Sequence, residues 1–524
     1  MVVCPALKLR TALVVVVLGT AILACTAPAR VGRMLQNPEN ASQSIESQQA
    51  AIADNPPAPA LLPGFQGDEA ALEASQPRYE IDLAVDFEAL TIQGNSVVTV
   101  TNTESIPLES LYFRLFPNGH KSYGDGSLTV TRTRVNGEAV ESVSSLSDSV
   151  LEVSLPEELA PGARTQIEFQ FSGIIPGDFG SSPDSTGYGI YNKSQDVMAL
   201  AGWYPLLAVY GEDGWNLDPV SAMGDSVYSE TALYDVEVTT PKELVLVSSG
   251  VEASIQEDGD KLRHHLVSGP LRDFFMIMSP DYRRKSRTVD GVLVNSYYRS
   301  GSTDGGEKAL AVASQALHLY NSHFGSYPYG ELDIVEAPLM YAQGVEYPTI
   351  VLIGSDLYGY PEDGFFSDVV AHEVAHQWWY GLVGNDVFDD PWLDEALAMY
   401  SDGMFLEETG GSAAYNGFIQ YMNDEYDSLV KDGLDERITQ SLGFFEGKKN
   451  PRLYSGIVYS KGALFLHALR REIGDEAFFQ ALGEYFQAHR YGVARPEDLL
   501  GAFEAAAGRS LTDFYEAWLY TSRN

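Results

Sequence analysis

The segment with the most specific chemistry in this chain is His372-Glu373-Val374-Ala375-His376. The apolar periodicity around it predicts a helix from Asp363 to Tyr380, and residues four apart on a helix share one face. Two imidazoles on one face can bind the same metal ion, and this geometry suits Zn²⁺ at Zn–N distances of about 2.0–2.1 Å. Glu373 projects beside the metal, about 100° round the helix, as a candidate catalytic carboxylate.

A third metal ligand is predicted at Glu395, nineteen positions after His376 and at the start of the next predicted helix. Catalytic zinc typically has three protein ligands and an open position for water, and His372, His376 and Glu395 supply such a His₂Glu set. A glutamate in a first helical turn is also typical of a solvated position favoured by the helix dipole. In combination with the two histidines, we interpret Glu395 as the third ligand of one Zn²⁺ ion per chain.

Two further segments extend the pattern: Gln343-Gly344-Val345-Glu346-Tyr347-Pro348 upstream and Tyr459-Ser460-Lys461-Gly462 downstream. With them, residues from about Arg78 to Tyr520 resemble the gluzincin metallopeptidases of the aminopeptidase N and leukotriene-A4-hydrolase family. That family has G-A-M-E-N or G-G-M-E-Y-P at the first segment and Y-x-K-G at the second. The resemblance implies a zinc peptidase that cuts the first peptide bond of its substrate.

The resemblance also implies that Gly344 and Glu346 bind the substrate. Glu346 lies 26 residues before His372, beside a predicted strand that an extended peptide could join by β-augmentation. Its carboxylate would then hold the terminal ammonium of the peptide. A strand-end glutamate in ordinary solvent is the alternative interpretation.

The resemblance likewise implies a catalytic role for Tyr459, whose hydroxyl would donate a hydrogen bond to the oxyanion as a tetrahedral intermediate forms. Tyr459 opens a predicted amphipathic helix, and most tyrosines at such positions are half-buried packing residues. The Lys461-Gly462 pair that follows favours the catalytic interpretation.

The chain departs from the family pattern at two kinds of position. Gln343 replaces the first glycine of the upstream segment and Val345 replaces its methionine, so the floor of the cleft differs in shape. The family usually takes a second Glu or Gln for amine binding from its β domain, and residues 196–205 contain no convincing match. We therefore expect amine recognition to depend mainly on Glu346.

Two classes of element must position these residues. From about Arg78 to Val294, short runs rich in Val, Thr, Tyr and Leu alternate polar with apolar residues, which predicts an all-β domain of sandwich or saddle shape. After Ser300 the period becomes 3.6, with early strands only at Asp333 to Ala337 and Tyr347 to Ile353. The predicted helices are Gly306 to His323, Asp363 to Tyr380, Trp392 to Glu408, Ser412 to Val430, Ile457 to Ile473, Asp475 to His489, Pro496 to Ala507 and Leu511 to Tyr520.

The predicted fold class is therefore multidomain. An N-terminal all-β saddle or sandwich domain, similar to that of aminopeptidase N, occupies residues 78–300. A mainly α (α+β) catalytic domain, which the resemblance makes thermolysin-like, occupies residues 301–524.

Composition excludes several classes of protein. Apolar residues make up 45% of the 524 positions and charged residues 20%, which is ordinary globular usage. With 33 Lys and Arg against 73 Asp and Glu, the formal charge is −40, so nucleic acid is not an expected partner. The two cysteines, Cys4 and Cys25, leave the rest of the chain without a disulfide or thiolate site.

The first residues predict export and lipid anchoring. Lys8 and Arg10 precede a nearly apolar stretch that is too short to span a bilayer comfortably, so residues 1–24 are interpreted as a lipoprotein signal peptide. Ile22-Leu23-Ala24-Cys25 resembles a bacterial lipobox, which predicts lipidation at Cys25; an ordinary cleaved signal is the alternative. Residues 25–77, rich in Ala, Ser, Gln, Glu and Pro, predict a disordered tether to the extracytoplasmic face of the cell membrane, at the cell surface or in the periplasm.

The functional hypothesis is a zinc-dependent aminopeptidase that acts on peptides outside the cytoplasmic membrane. One alternative is a zinc endopeptidase or another zinc hydrolase on the same fold. A second is a surface lipoprotein that binds without turnover. The sequence predicts neither the preferred N-terminal residue nor the oligomeric state.

Overall fold

A computed structural model describes residues 75–177, 187–224 and 227–523, and these residues fall in one compact unit. The predicted signal peptide, Cys25 and the tether up to residue 74 lie outside the described residues. Within the described ranges, no helix has both the length and the apolar composition needed to cross a bilayer.

The upstream half of the described chain is built mainly of β-strands, and the last three strands, β21 to β23, lie in the downstream half. All strands are numbered here in chain order. The strands are β1 Arg78–Asp86, β2 Thr91–Thr101, β3 Leu108–Arg114, β4 Ser127–Val135, β5 Glu138–Ala139, β6 Ser142–Ser145, β7 Val150–Leu159, β8 Arg164–Ile174, β9 Tyr191–Ser194, β10 Val197–Leu200, β11 Leu206–Leu207, β12 Tyr210–Gly211, β13 Gly214–Trp215, β14 Leu233–Pro241, β15 Val245–Ser248, β16 Val251–Asp258, β17 Lys261–Val267, β18 Met276–Ser279, β19 Tyr282–Val289, β20 Val292–Arg299, β21 Glu331–Ala337, β22 Gly344–Tyr347 and β23 Ile350–Gly354.

Alternation of buried and exposed residues forms the large upstream sheet. In β1, Tyr79, Ile81, Leu83 and Val85 are buried and the residues between them are exposed, as expected for a strand with one face on a core. The sheet order is β16-β17-β14-β1-β2-β8-β4-β5, with β1 antiparallel to β2 and parallel to β14. The smaller upstream sheets have the orders β15-β18-β10-β9 and β11-β3-β7-β6.

The downstream half is mainly helical. Its α-helices are α1 Thr303–His323, α2 Gly364–Ala375, α3 Trp392–Lys431, α4 Leu442–Lys448, α5 Pro451–Tyr454, α6 Gly462–Ile473, α7 Asp475–His489, α8 Pro496–Ala507 and α9 Thr512–Tyr515. Two π-helical segments, Ser455–Lys461 and Glu516–Tyr520, join α5 to α6 and follow α9. Short 3₁₀ turns occur at Phe116–Gly119, Lys121–Tyr123 and Ser355–Leu357.

The sheet of the downstream half has the order β19-β20-β21-β23-β22. Strands β19 and β20 lie before the boundary that we predicted at residue 300, yet β20 pairs in parallel with β21 of the helical half. Hydrogen bonding therefore joins residues 282–299 to the downstream sheet, and the predicted boundary does not separate the two sheets. The difference arises because alternation in a strand does not reveal which sheet it joins.

Several predicted elements differ in extent from the structure. The helix predicted from Asp363 to Tyr380 ends at Ala375, and the strand predicted from Tyr347 to Ile353 is two strands, β22 and β23. The helices predicted on either side of residue 410 form one element, α3, which is interrupted at Gly411 by a φ of 70°. Glycine adopts this left-handed backbone without a steric penalty, so the kink occurs there.

Candidate active site

The three predicted zinc ligands come together in the structure. His372 lies in the last turn of α2, His376 caps that helix, and Glu395 lies in the first turn of α3. The Nε2 atoms of the histidines are 3.1 Å apart, and Glu395 Oε2 is 3.4 Å from each of them. All three side chains are buried.

The second nitrogen of each histidine has an acceptor that fixes the tautomer. His372 Nδ1 lies 3.2 Å from Asp402 Oδ2, and His376 Nδ1 lies 2.9 Å from the carbonyl oxygen of Trp379. Burial raises the pKa of Asp402 to about 6 against the pull of His372, so this carboxyl is still ionised at neutral pH. Because a carboxylate and a carbonyl only accept, the proton of each ring is assigned to Nδ1.

The tautomers of the two histidines show whether the site fits a metal ion. Both Nε2 atoms then present lone pairs, and they face one another and a carboxylate oxygen in a buried site. Such an arrangement is repulsive unless positive charge lies between the three donors, as a metal cation or as further protons on the rings. The site favours that charge: although burial lowers both values, the Asp402 carboxylate raises the pKa of His372 to about 10, and Glu346 and Glu395 raise the pKa of His376. Two imidazoles and one carboxylate, with outer partners on the imidazoles, form a donor set that fits zinc, as predicted.

The candidate base, Glu373, is buried beside the ligand set. Among the described residues, neither of its carboxylate oxygens has a hydrogen-bond partner. Burial, and then the charge of Glu346, raise its pKa to about 8. A carboxylate with a raised proton affinity near the operating pH is suited to take up and return a proton.

Gly344 brings strand β22 against this base. A Cβ at position 344 would overlap the Glu373 carboxylate, so only glycine permits this approach. The sequence reasoning assigned Gly344 to substrate binding, which stays a prediction. The contact adds a second reason for glycine at this position.

Glu346 lies in β22, the last strand of its sheet, with its Oε1 atom 4.0 Å from His376 Nδ1. Gln377 joins the end of α2 to β22. Its amide donates to the carbonyl oxygen of Tyr347 at 3.0 Å and accepts from the Thr349 N–H at 2.8 Å. Ligand atoms of Glu346, Glu373 and His376 lie within 4.8 Å of one another. The surroundings of the predicted zinc ligands are therefore acidic on the side of β22.

Tyr459 lies beside the predicted ligand Glu395. It lies in the π-helical segment Ser455–Lys461, is buried, and its hydroxyl donates to Glu395 Oε1. Its ring is 6.0 Å from the ring of His372. Burial, and then the Glu395 charge, hold its pKa well above the usual range, so the hydroxyl stays protonated and can donate.

Sequence reasoning missed the outer partners of the histidines. Asp402 follows Glu395 by seven residues, two helical turns, so the two carboxylates share one face of α3. That spacing could have identified Asp402 as a site residue. The Trp379 carbonyl is a backbone group and left no sequence signal.

Residues 308–518 match the model of the peptidase family M1 domain. Aminopeptidase M1 of Arabidopsis thaliana is 26% identical over 304 residues, which are 55% of this chain and 34% of that protein. Aminopeptidase N of Lactococcus lactis subsp. lactis is 34% identical over 154 residues, 29% of this chain and 18% of that protein. Over residues 308–518, this chain is therefore similar to the peptidases of family M1.

The crystal structure of an M1 zinc metallopeptidase from Deinococcus radiodurans has the same fold as this chain. The TM-score is 0.62 at 20% sequence identity, and the match covers 85% of this chain and 94% of that one. The predicted resemblance to this family and the predicted fold class are therefore confirmed. This chain spans 34% of the length of the Arabidopsis relative and 52% of that of aminopeptidase M1-C of Oryza sativa subsp. japonica.

Proposed function

We propose that this protein is a zinc-dependent aminopeptidase that removes N-terminal residues from peptides. The observation that carries the proposal is the position of Glu346 on β22, the last strand of its sheet. Its Oε1 atom lies 4.0 Å from Nδ1 of the proposed zinc ligand His376. A peptide that pairs with this strand would direct its terminal ammonium to that carboxylate. The bond beside the metal is then the first peptide bond.

The remaining site residues have matching roles in this proposal. His372, His376 and Glu395 would hold the zinc ion, which would supply Lewis-acid chemistry to the scissile carbonyl and the attacking water. Glu373 takes the proton of the water and returns it to the leaving amine. Tyr459, whose single O–H donor is directed to Glu395 Oε1 in this structure, would turn it to the developing oxyanion.

The proposal is tested by exchanging Glu346→Gln and comparing a free aminoacyl substrate with its N-acetylated form. Loss of a charge-assisted hydrogen bond costs about 1.5–3 kcal/mol, so kcat/KM for the free substrate should fall about 10- to 100-fold. The acetylated substrate has no ammonium to lose and should be affected far less. Zinc content should not change.

The matched control is Glu336→Gln in strand β21 of the same sheet. Glu336 is buried too, but it accepts from the Arg299 N–H at 2.8 Å and the Ser302 hydroxyl at 3.0 Å. This variant should keep the preference for free N-termini. Equal losses on both substrates in Glu346→Gln would favour an endopeptidase, and a zinc-loaded parent without turnover would favour the binding lipoprotein.

We further propose that the protein works outside the cytoplasmic membrane, tethered through lipid on Cys25. Support comes from the lipobox-like Ile22-Leu23-Ala24-Cys25 and the apolar stretch before it. Acyl chains bury about 0.8 kcal/mol per methylene in the bilayer, so Cys25→Ser should release the protein into the soluble fraction. Mass spectrometry of the mature N-terminus measures the modification, and an unmodified terminus elsewhere would exclude it.

A further inference from the structure

A buried lysine lies two residues after Tyr459. Lys461 ends the π-helical segment and is 2% exposed. Its ammonium donates to Asp435 Oδ1 at 3.0 Å, to the carbonyl oxygen of Glu436 at 2.6 Å and to the carbonyl oxygen of Thr521 at 3.2 Å. All three donors of the ammonium therefore have acceptors inside the protein.

The acceptors belong to two separate segments of the chain. Asp435, which is 0% exposed, lies in the loop after α3, and its second oxygen accepts from the Arg523 N–H at 2.5 Å. The same loop donates from the Ile438 N–H to the carbonyl oxygen of Leu519 at 3.0 Å. Lys461 and Asp435 thus join the π-helical segment, the loop after α3 and residues 519–523.

Close packing against α3 leaves the π-helical segment little freedom to shift. A Cβ at Gly462 would lie 2.6 Å from the Ala396 side chain, next to the zinc ligand Glu395, and a Cβ at Gly456 would overlap Leu429. Tyr459 lies between these two glycine contacts and donates to Glu395. Its hydroxyl position therefore depends on how the segment is held at its Lys461 end.

Stability alone does not explain an ion pair at this place. Burying two charges costs desolvation free energy, and well-packed apolar residues of similar volume often stabilise a protein as well or better. The pair instead fixes the relative position of the segments that it joins, because an ammonium with three fixed acceptors allows one arrangement of them. π-Helical turns are also found frequently at functional sites.

We propose that Lys461 and Asp435 are a positioning pair that holds the Tyr459 hydroxyl in register with Glu395 and the zinc ligands. The inference rests on the proposed function for its kinetic consequence. Lys461 does not touch the reacting atoms in this proposal and acts only through Tyr459.

The first test is Lys461→Met, which keeps the length of the side chain and removes its charge. Misplacement of a catalytic group by about 1 Å can cost about 10²-fold in rate, so kcat should fall by about 10- to 100-fold while KM and zinc content stay within about threefold. The control is Tyr515→Phe, which removes a buried hydrogen bond to the Leu500 carbonyl oxygen in the same C-terminal region. It should lower thermal stability and leave kcat unchanged.

The second test combines Lys461→Met with Tyr459→Phe. If Lys461 acts through the Tyr459 hydroxyl, the change at 461 should reduce kcat by less than about threefold once that hydroxyl is absent. Because Lys461→Met alone leaves a buried carboxylate without its ammonium, Lys461→Met/Asp435→Leu is the companion variant if folding suffers. It should recover thermal stability without recovering kcat.

A third measurement does not depend on turnover. 3-Fluorotyrosine incorporated at position 459 should give one sharp ¹⁹F line in the otherwise unchanged protein and a shifted or broadened line in Lys461→Met. An unchanged line, or equal kcat losses in the presence and absence of the Tyr459 hydroxyl, would overturn the positioning role. If the ¹⁹F line differs between the parent and Lys461→Met but the parent hydrolyses no peptide, the proposed function would be overturned and the positioning role of the pair would stand.

Discussion

Asp402→Asn should weaken zinc binding without removing any zinc ligand. The exchange preserves size and leaves an amide oxygen that can still accept from His372 Nδ1, now 3.2 Å from Asp402 Oδ2, but it removes the negative charge. His372 then becomes a less basic ligand. Loss of such an outer partner typically costs 10- to 100-fold in metal affinity, or about 1.4–2.7 kcal/mol, and complete burial of both residues favours the upper part of that range.

The assay is competition for zinc against a chelator of known affinity, followed at constant pH. Asp273→Asn is the matched control, because Asp273 is also a buried aspartate but accepts from the Tyr380 hydroxyl at 3.1 Å. The control should keep the parent affinity within about threefold. Equal weakening in both variants, or unchanged affinity in Asp402→Asn, would refute the assignment of Asp402 as the partner that orients His372.

Three further outcomes are expected. Glu373→Gln should keep stoichiometric zinc and lose about 10³-fold or more in kcat, since it removes the proton acceptor and preserves size; near-normal turnover would mean another base. Gly344→Ala should lower kcat at unchanged zinc content, because its methyl group meets the Glu373 carboxylate, and a fully active variant would contradict that contact. Burial raises the pKa of Asp273 to about 7, so the native state retains a proton that the unfolded chain releases near pH 4, and stability falls as pH rises to about 7. Between pH 5 and pH 8, deprotonation of Asp273 should lower the free energy of unfolding of the parent, measured with denaturant, by about 2–3 kcal/mol. Asp273→Asn should not show this decrease.

The zinc ligands were predictable because their geometry is local. Two histidines four apart on a helix converge by helical periodicity alone, and Glu395 needed only the start of the next helix. The end of α2 was not predictable in this way. After Ala375 the backbone makes bonds five residues apart, from Gly381 N–H to the His376 carbonyl and from Leu382 N–H to that of Gln377, and Tyr380 has a φ of 126°.

The surroundings of Tyr459 show why other features escaped sequence reasoning. The spacing of apolar residues from Ile457 to Ile473 predicts one α-helix, and the structure has a π-helical turn at its start, where Gly456 and Gly462 pack against α3. Such contacts join residues that are distant in sequence. The same applies to Lys461 and Asp435, whose pairing depends on the path of the loop after α3.

Helix α3 positions several residues of the site. It carries Glu395 and Asp402 and packs against the segment that carries Tyr459, so a proposed ligand, the partner of another ligand and the proposed oxyanion donor are all positioned by one helix. Helix α2 is held to it because the Tyr320 hydroxyl lies 3.2 Å from the carbonyl oxygens of both Ala371 and Ser401. A site built on packed helices keeps its atoms in place more accurately than one built on loops. Strand β22, which carries Glu346, is the part of the site that belongs to a sheet. Gln377 bonds it to the end of α2, so the carboxylate that we propose as the amine-binding group is held in place relative to the proposed metal ligands.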